Sequence, residues 1–369
     1  MKIGIPIYNF DPKKGGAERY AFDLSLNLAR KGFTPYIFCA KGVEADWVKK
    51  IIVDTTPVPR WLRNLSFAIS HKRKLIECPV DVMIGFGNTL TADLYQSHGG
   101  VHRVWLQREL LSYNKTLERH IKAFILKRSI NQRIQEWVSE YPLRKRVFKR
   151  IIAISDMVKN HLIEHLKLED ALIEVVYNGV DTERFKPAPK GDRPDGLEIL
   201  FSAGNFRLKG LGELLVALKE LAKIRRDFRL IIMGRGKKGR YKRMAEDMGL
   251  NDRVIFLGEQ LAPEEVYREA DILCHPTYYD ACSLTIMEAM ATGLPVITTR
   301  WNGAAALVND AGFVIDEPYD INGMVSAIRE LFDPKKRHEM GKKARAWMER
   351  YTIQKNVDEI ERIIFKTIL

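Results

Sequence analysis

Two acids, Asp280 and Glu288, stand with seven residues between them in the run Asp280-Ala281-Cys282-Ser283-Leu284-Thr285-Ile286-Met287-Glu288, which leads straight into Ala-Met-Ala-Thr-Gly-Leu-Pro-Val-Ile-Thr. The pattern predicts a helix that starts just after Asp280 and carries Glu288 about two turns in. Main-chain N–H groups of Ala281, Cys282, Ser283 and Leu284 would be unpaired at that start, and their partial positive charge suits a phosphate or a developing oxyanion. An acid beside such a turn can instead hold sugar hydroxyls. Two acids flanking one anion cradle point to a nucleotide-sugar, with its phosphates between the ribose and the transferred ring. The plainer readings of the same acids are a helix cap and a solvated face.

Elements that would position these acids can be read from the alternation of short apolar runs with longer amphipathic stretches. Strand-like runs fall at 2–8, 35–40, 81–86, 151–154, 173–176, 198–203, 228–233, 254–257, 271–274 and 294–299, with helical patterns at 18–31, 212–225, 242–248 and 263–270. Strands alternating with helices imply parallel sheets with right-handed crossovers, and the length accommodates two such series. A stretch rich in Pro, Gly and polar residues places the boundary near 186–196. The expected fold class is α/β, with two doubly wound domains whose ligand lies at the carboxyl ends of the sheets. Gly15-Gly16 follows the first strand and opens a helix, either as an anion-binding turn or as a plain one. After the strand at 198–203, Arg207 and Lys209 put two cations where a departing diphosphate would need its charge neutralised.

Composition bounds the remaining choices. The chain has 369 residues, 46% of them hydrophobic, and four scattered cysteines without a Cys-x-x-Cys pair, which indicates neither a zinc site nor a disulfide framework. Reduced cytosol is the expected compartment, the first strand is too soon interrupted for a signal peptide, and no apolar run reaches the length of a membrane span. The net charge of +13 is concentrated, since residues 101–150 hold thirteen Lys and Arg against four Glu, interleaved with Trp105, Leu106, Leu110, Phe124, Ile125 and Trp137. A basic amphipathic segment with aromatics fits an anionic membrane surface, while the alternatives are packing on its own domain or nucleic-acid binding. No nucleic acid is expected, because the chain has no helix-turn-helix, zinc-finger or RNA-recognition signature.

The stretch 280–299, together with Gly15-Gly16, Asn178-Gly179-Val180-Asp181 and Arg207-x-Lys209-Gly210, resembles the retaining family 4 glycosyltransferases of GT-B fold. Ser97-His98-Gly99-Gly100-Val101-His102-Arg103 and the basic segment after it resemble, within that family, the lipopolysaccharide core glucosyltransferases. The resemblance implies an acceptor domain at 1–188 with the basic insert 101–150, a nucleotide-sugar domain at 189–348, and a last helix at 349–369 that packs back on the first domain. It implies that Asp280 contacts the transferred sugar, that Glu288 holds the ribose, and that Ala281, Cys282, Ser283 and Leu284 meet the diphosphate and donor sugar. Arg207 and Lys209 would bind the diphosphate, Gly15 and Gly16 would approach the donor, Gly234 and Gly258 would flank ribose and base, and His98 would be a polar residue of the cleft. The usual first acid is Glu, so Asp280 is one methylene shorter, and an Asp expected near Gly99 is missing.

The implied chemistry is hexosyl transfer with retention from a nucleoside-diphosphate sugar, UDP-glucose in the simplest case, to a saccharide or glycolipid acceptor, probing the cytoplasmic face of the inner membrane as a peripheral enzyme. No metal is called for if Arg207, Lys209 and the helix start carry the leaving charge. An epimerase of the same fold is the other enzymatic class open, and a Rossmann dehydrogenase is disfavoured by the missing Gly-x-Gly-x-x-Gly.

Overall fold

A computed structural model describes residues 1–55, 58–113, 116–189 and 196–368. The expected linker, 186–196, lies partly outside them, at 190–195. The chain divides into two compact units, unit 1 comprising Met1–Leu110, Asn114–Gly179 and Ile353–Leu369, and unit 2 comprising Leu111–Tyr113 and Val180–Thr352.

Unit 1 is built on seven parallel strands, β1 (Lys2–Pro6), β3 (Thr34–Cys39), β5 (Lys49–Ile52), β6 (Val82–Gly85), β7 (Leu94–Ser97), β8 (Arg150–Ala153) and β9 (Ile173–Val175). Two short strands, β2 (Asn9–Phe10) and β4 (Lys41–Gly42), pair separately. The large sheet runs β5-β3-β1-β6-β7-β8-β9. Its central strands are buried on both faces, which is why Ile3, Gly4, Ile5 and Pro6 of β1, and all four residues of β6, are out of water. The helices are α1 (Gly16–Arg30), α2 (Arg63–Glu77), α3 (His102–Leu111), α4 (Thr116–Arg128), α5 (Ile130–Lys145) and α6 (Asp156–Leu166).

Unit 2 repeats the plan with six parallel strands, β10 (Leu197–Ser202), β11 (Phe228–Met233), β12 (Val254–Gly258), β13 (Ile272–His275), β14 (Val296–Thr299) and β15 (Gly312–Ile315), in the order β12-β11-β10-β13-β14-β15. Its helices are α7 (Leu211–Leu221), α8 (Gly239–Asp247), α9 (Pro263–Glu269), α10 (Leu284–Ala291), α11 (Ile321–Glu330) and α12 (Pro334–Met348). The last helix, α13 (Ile353–Ile368), belongs to unit 1. Its Val357, Ile360, Ile363 and Ile364 recur at helical spacing, are fully buried, and join the core formed by Ile3, Leu24, Leu28 and Ile84. Each such side chain contributes about 1.5–3 kcal/mol by leaving water, so the helix is an integral layer of unit 1.

The two parallel-sheet α/β units agree with the expected fold class, while several details differ. The last helix, expected at 349–369, begins only at Ile353, after α12 stops at Met348. In the gap Val180 pairs with Thr352 and its N–H donates to the Tyr351 carbonyl, contacts a continuous helix would forbid. Strands β5, β7 and β15 escaped, because Lys49-Lys50, Tyr95-Gln96-Ser97 and Gly312 break the apolar signal. The basic segment 101–150 holds three helices, with α3 and α5 each burying residues such as Val104 and Val138. Among the described residues no helix is long and apolar enough to cross a membrane.

Candidate functional site

Ligands of open parallel sheets lie beyond the strands' carboxyl ends, where successive connections depart in opposite directions. In unit 2 that point is between β10 and β13, since β11 and β12 lie on one side of β10 and β14 and β15 beyond β13. The segments leaving these two strands carry Lys209 and Asp280, and they meet. Lys209 Nζ lies 2.5 Å from Asp280 Oδ2 and also donates to the Tyr279 carbonyl at 3.1 Å. Both side chains are about one-fifth exposed, so the pair is largely shielded yet reachable. Burial pushes the Asp280 carboxyl up, but the Lys209 ammonium and hydrogen bonds from Lys209 and Ser283 outweigh it and hold the carboxyl below its usual range.

Two glycines are demanded by this packing. At Gly210 (φ +79°) a Cβ would stand 2.0 Å from the Pro276 carbonyl oxygen. At Gly234 (φ +121°) it would stand 1.9 Å from that of Ala203, and the Gly234 N–H donates to the Gly258 carbonyl at 2.8 Å. Gly234 and Gly258 are thereby brought together at the ends of β11 and β12.

The loop carrying Asp280 is laced down along its length. Thr277 Oγ1 donates to the Leu208 and Tyr279 carbonyls, Thr299 Oγ1 donates to the Thr277 carbonyl at 2.6 Å, and the Asp280 N–H donates to the Trp301 carbonyl at 3.0 Å. Asn302 completes it, its Oδ1 accepting from the Ser283 N–H at 3.3 Å and the Ala304 N–H at 3.1 Å. The expected row of unpaired N–H groups at 281–284 is therefore corrected: Ser283 is already engaged by Asn302, which reaches back from the end of β14. Glu288 is the fifth residue of α10, about one turn in and not two, because the helix starts at Leu284 after the turn 281–283. Glu288 Oε2 accepts from the buried Tyr267 hydroxyl of α9 at 2.9 Å, which fixes its direction.

Arg207 is engaged differently from the expectation of a free phosphate cation. Its Nη1 donates to Ser112 Oγ at 2.9 Å and its guanidinium lies 3.6 Å from the Tyr113 ring centroid, both residues of the short segment that clusters with unit 2. His275, beneath the loop, is neutral because burial lowers it to about 3, with the Lys209 charge acting in the same direction.

Gly15, Gly16 and His98 belong to unit 1, where the corresponding point lies between β1 and β6. Gly15 caps α1 in an extended conformation that any residue adopts, and the Glu18 carboxylate folds back to within 2.6 Å of where a Cβ would stand. The chain's own acid thus occupies the space beside that helix start. His98 packs edge-on against Tyr20 and Phe86 at 4.6 and 4.7 Å, and burial lowers it to about 3, so it is a neutral imidazole at working pH. Its Nε2 is buried without a partner, as are Asn88 Oδ1, Thr89 Oγ1, Gln96 Oε1 and Ser97 Oγ. Asn88, Thr89 and His98 follow the ends of β6 and β7, Gln96 and Ser97 are the last two residues of β7, and Asn88 Nδ2 donates to the Pro6 carbonyl of β1 at 3.3 Å. Buried polar atoms are seldom left unmatched, and this group of them gathers at the carboxyl ends of β6 and β7.

Sequence reasoning missed Tyr267, Asn302, Asn88 and Gln96. Only the polar pairs Asn88-Thr89, shortly after an apolar strand run, and Gln96-Ser97, at the end of β7, carried a signal that could have found any of them. Tyr267 and Asn302 act through tertiary contacts that no local pattern shows.

Comparison with known proteins accords with this geometry. Residues 14–184 match the model for Glycosyltransferase Family 4, and residues 183–347 match that for Glycosyl transferases group 1. The chain is 22% identical over 347 residues to the lipopolysaccharide glucosyltransferase WaaG of Escherichia coli K12, covering 89% of each chain. The crystal structure of WaaG superposes with a TM-score of 0.81 at 20% identity, covering 98% of this chain and 99% of that one. Sucrose-phosphate synthase from Thermosynechococcus elongatus gives 0.79 at 19% identity, covering 99% and 98%. Anabaena HepE in complex with UDP and glucose gives 0.73 at 18%, covering 99% of each. With two parallel-sheet units, and with successive family models spanning nearly its whole length, the chain belongs to the family 4 glycosyltransferases of GT-B fold.

Proposed function

We infer that this glycosyltransferase moves a hexose, with retention of configuration, from UDP-glucose to a saccharide or glycolipid acceptor of the lipopolysaccharide-core type at an anionic membrane surface. The observation that carries the reading is the Lys209–Asp280 pair at the β10/β13 switch point, with Glu288 aimed by Tyr267 on the next helix. Glu288 takes the ribose hydroxyls and Asp280 those of the transferred sugar. Lys209 turns from Asp280 toward the diphosphate as the glycosyl bond breaks, and Arg207 joins it by exchanging its contact with Ser112. The sugar's bond to the phosphate oxygen breaks, that oxygen helps take the acceptor hydroxyl's proton, and the acceptor oxygen bonds to the same face of the ring. Positioning and charge stabilisation supply the rate, without a covalent nucleophile or a metal. The neutral His98 and the unpartnered oxygens around it meet sugar hydroxyls in unit 1. Support comes from the glucosyltransferase relative and from a neighbour that holds UDP and glucose.

The membrane part rests on α4, where Leu117, Ile121, Phe124 and Ile125 recur on one face and are 72%, 51%, 58% and 50% exposed. An apolar stripe flanked by Arg119, Lys122 and Arg128 is the composition of a helix lying in a lipid interface.

A thermal-shift screen of UDP-, GDP- and ADP-sugars tests the donor. A ligand at 100 times its Kd adds about 2.7 kcal/mol, and that shift should vanish in Glu288→Ala. The anomeric configuration of the product, read by NMR, tests retention. Donor turnover is expected with UDP-glucose, and purified protein that neither hydrolyses nor transfers any of these sugars would refute the proposal. Co-sedimentation with anionic vesicles, lost in Phe124→Glu, tests the surface contact.

A further inference from the structure

Unit 1 has a second concave site at the opposite end of its sheet. A cavity of about 540 Å³ opens between α2 and the turn from α5 into β8. Met83 and Asp93 reach it from the amino ends of β6 and β7, whereas the polar patch around His98 follows the carboxyl ends of these strands. Nothing in the glycosyl-transfer reading uses it, although its size is that of an ordinary ligand site.

Its lining joins two chemistries. One wall is apolar, with Leu75 and Ile76 on α2 facing Val147 and Phe148, and Ile76 is 81% exposed, which is unusual for an isoleucine. The rim carries Lys72, Arg146 and Lys149 against a single carboxylate, Asp93. Asp93 is committed to the floor, its Oδ2 accepting from the Met83 N–H at 2.9 Å while Lys149 Nζ stands 3.5 Å from Oδ1. Arg146 pairs with Glu169 at 2.9 Å, but both side chains are more than half exposed, and such pairs yield readily to a stronger anion. Lys72 has no ion pair among the described residues. Thr91 Oγ1, also in the lining, is buried and has no partner.

Arg146 closes α5 with φ +51°, in the left-handed region where a helix end ordinarily places glycine. The same left-handed cap occurs at Lys167 of α6, and here it carries the Arg146 side chain in the lining of the cavity.

We propose that this cavity binds the phosphate end of an anionic amphiphile, the phosphate set against Lys72, Arg146 and Lys149 and the first methylenes along Ile76 and Phe148. The site excludes a plain inorganic anion as its best ligand, because such an ion leaves the apolar wall wet. It disfavours a neutral lipid because the three cations at the rim outnumber the one carboxylate of the lining. The ligand is either a lipid of a bilayer or a free monomer of the same chemistry, and the inference does not depend on the identity of the transferred sugar.

The test is calorimetric titration of the full chain with dihexanoyl phosphatidic acid below its micellar concentration, with inorganic phosphate alongside. Saturable binding of the amphiphile is expected, roughly tenfold or more tighter than that of phosphate, and weakened by a similar factor in both Lys72→Glu and Ile76→Glu. Both side chains are exposed, so the thermal midpoint and transfer to a soluble acceptor should stay unchanged. Absence of saturable binding, equal affinity for phosphate, or indifference to both substitutions would overturn the proposal. Sedimentation with phosphatidic acid vesicles then identifies the source. A parallel loss in Lys72→Glu assigns the site to bilayer lipid, and an unchanged vesicle contact with the short-chain loss assigns it to a free amphiphile.

Discussion

The two sheets end in loops of opposite character. In unit 2 the 275–283 loop is held by hydrogen bonds of Thr277, Asp280 and Ser283 and by a shielded Lys209–Asp280 pair, although His275 Nδ1 is buried without a partner. In unit 1 the end of β7 and the loops after β6 and β7 leave Asn88 Oδ1, Thr89 Oγ1, Gln96 Oε1, Ser97 Oγ and His98 Nε2 without partners. The difference is one of preorganisation. A site that must stabilise developing charge gains from dipoles fixed in advance, because their reorganisation is then not part of the barrier. A surface that recognises neutral hydroxyls can leave its atoms open until the ligand supplies the hydrogen bonds, and the cost of those open atoms is borne by the stability of the unliganded fold.

The largest expected effect comes from breaking the charged pair. Lys209→Ala leaves a carboxylate alone in a mostly buried place, and should lower kcat/KM at least about 100-fold and stability by about 2–3 kcal/mol. Full activity in that variant would remove unit 2's claim to the charge-stabilising role. Next, Glu288→Gln should raise the donor KM roughly tenfold or more, while Tyr267→Phe, which deletes one charge-assisted hydrogen bond, should reproduce about half of that effect in free energy. Steady-state kinetics at varied donor separates the two, and a kcat loss without a KM change would contradict the positioning role of Tyr267.

A smaller effect distinguishes the open patch from ordinary structure. Thr89→Val and Ser97→Ala remove hydroxyls that have no partner in the protein, so each should leave stability unchanged or raised by about 0.5–1 kcal/mol while weakening sugar or acceptor binding several-fold. Destabilisation with intact kinetics would show instead that these hydroxyls serve the fold.

Acid sharpens the comparison further. Burial lowers His98 and His275 to about 3 and His71 to about 4, from an ordinary 6.5. Between pH 6.5 and those values the unfolded chain binds protons that the folded chain refuses, so stability falls as pH drops. Each histidine contributes up to about 1.4 kcal/mol per pH unit within its window. Unit 1 holds two of the three, and denaturant titrations at pH 7 and 5 should show it losing more than unit 2.

Much of this arrangement was legible in the residues alone. The alternation of apolar runs and helical stretches gave the two parallel sheets, because strands buried on both faces must be continuously apolar. Asp280 and Glu288 could be picked out by their spacing around a helix start, and Arg207 and Lys209 by their place after a strand. The sequence could not say that Lys209 and Asp280 face each other across 71 positions, that Asn302 occupies the N–H of Ser283, or that Tyr267 aims Glu288. Those depend on which strands become neighbours in the sheet. Local periodicity decides that a segment is a strand, whereas only the packing of whole layers decides what stands beside it, and a partner in the fold is what turns a charge, an amide or a hydroxyl into a functional group.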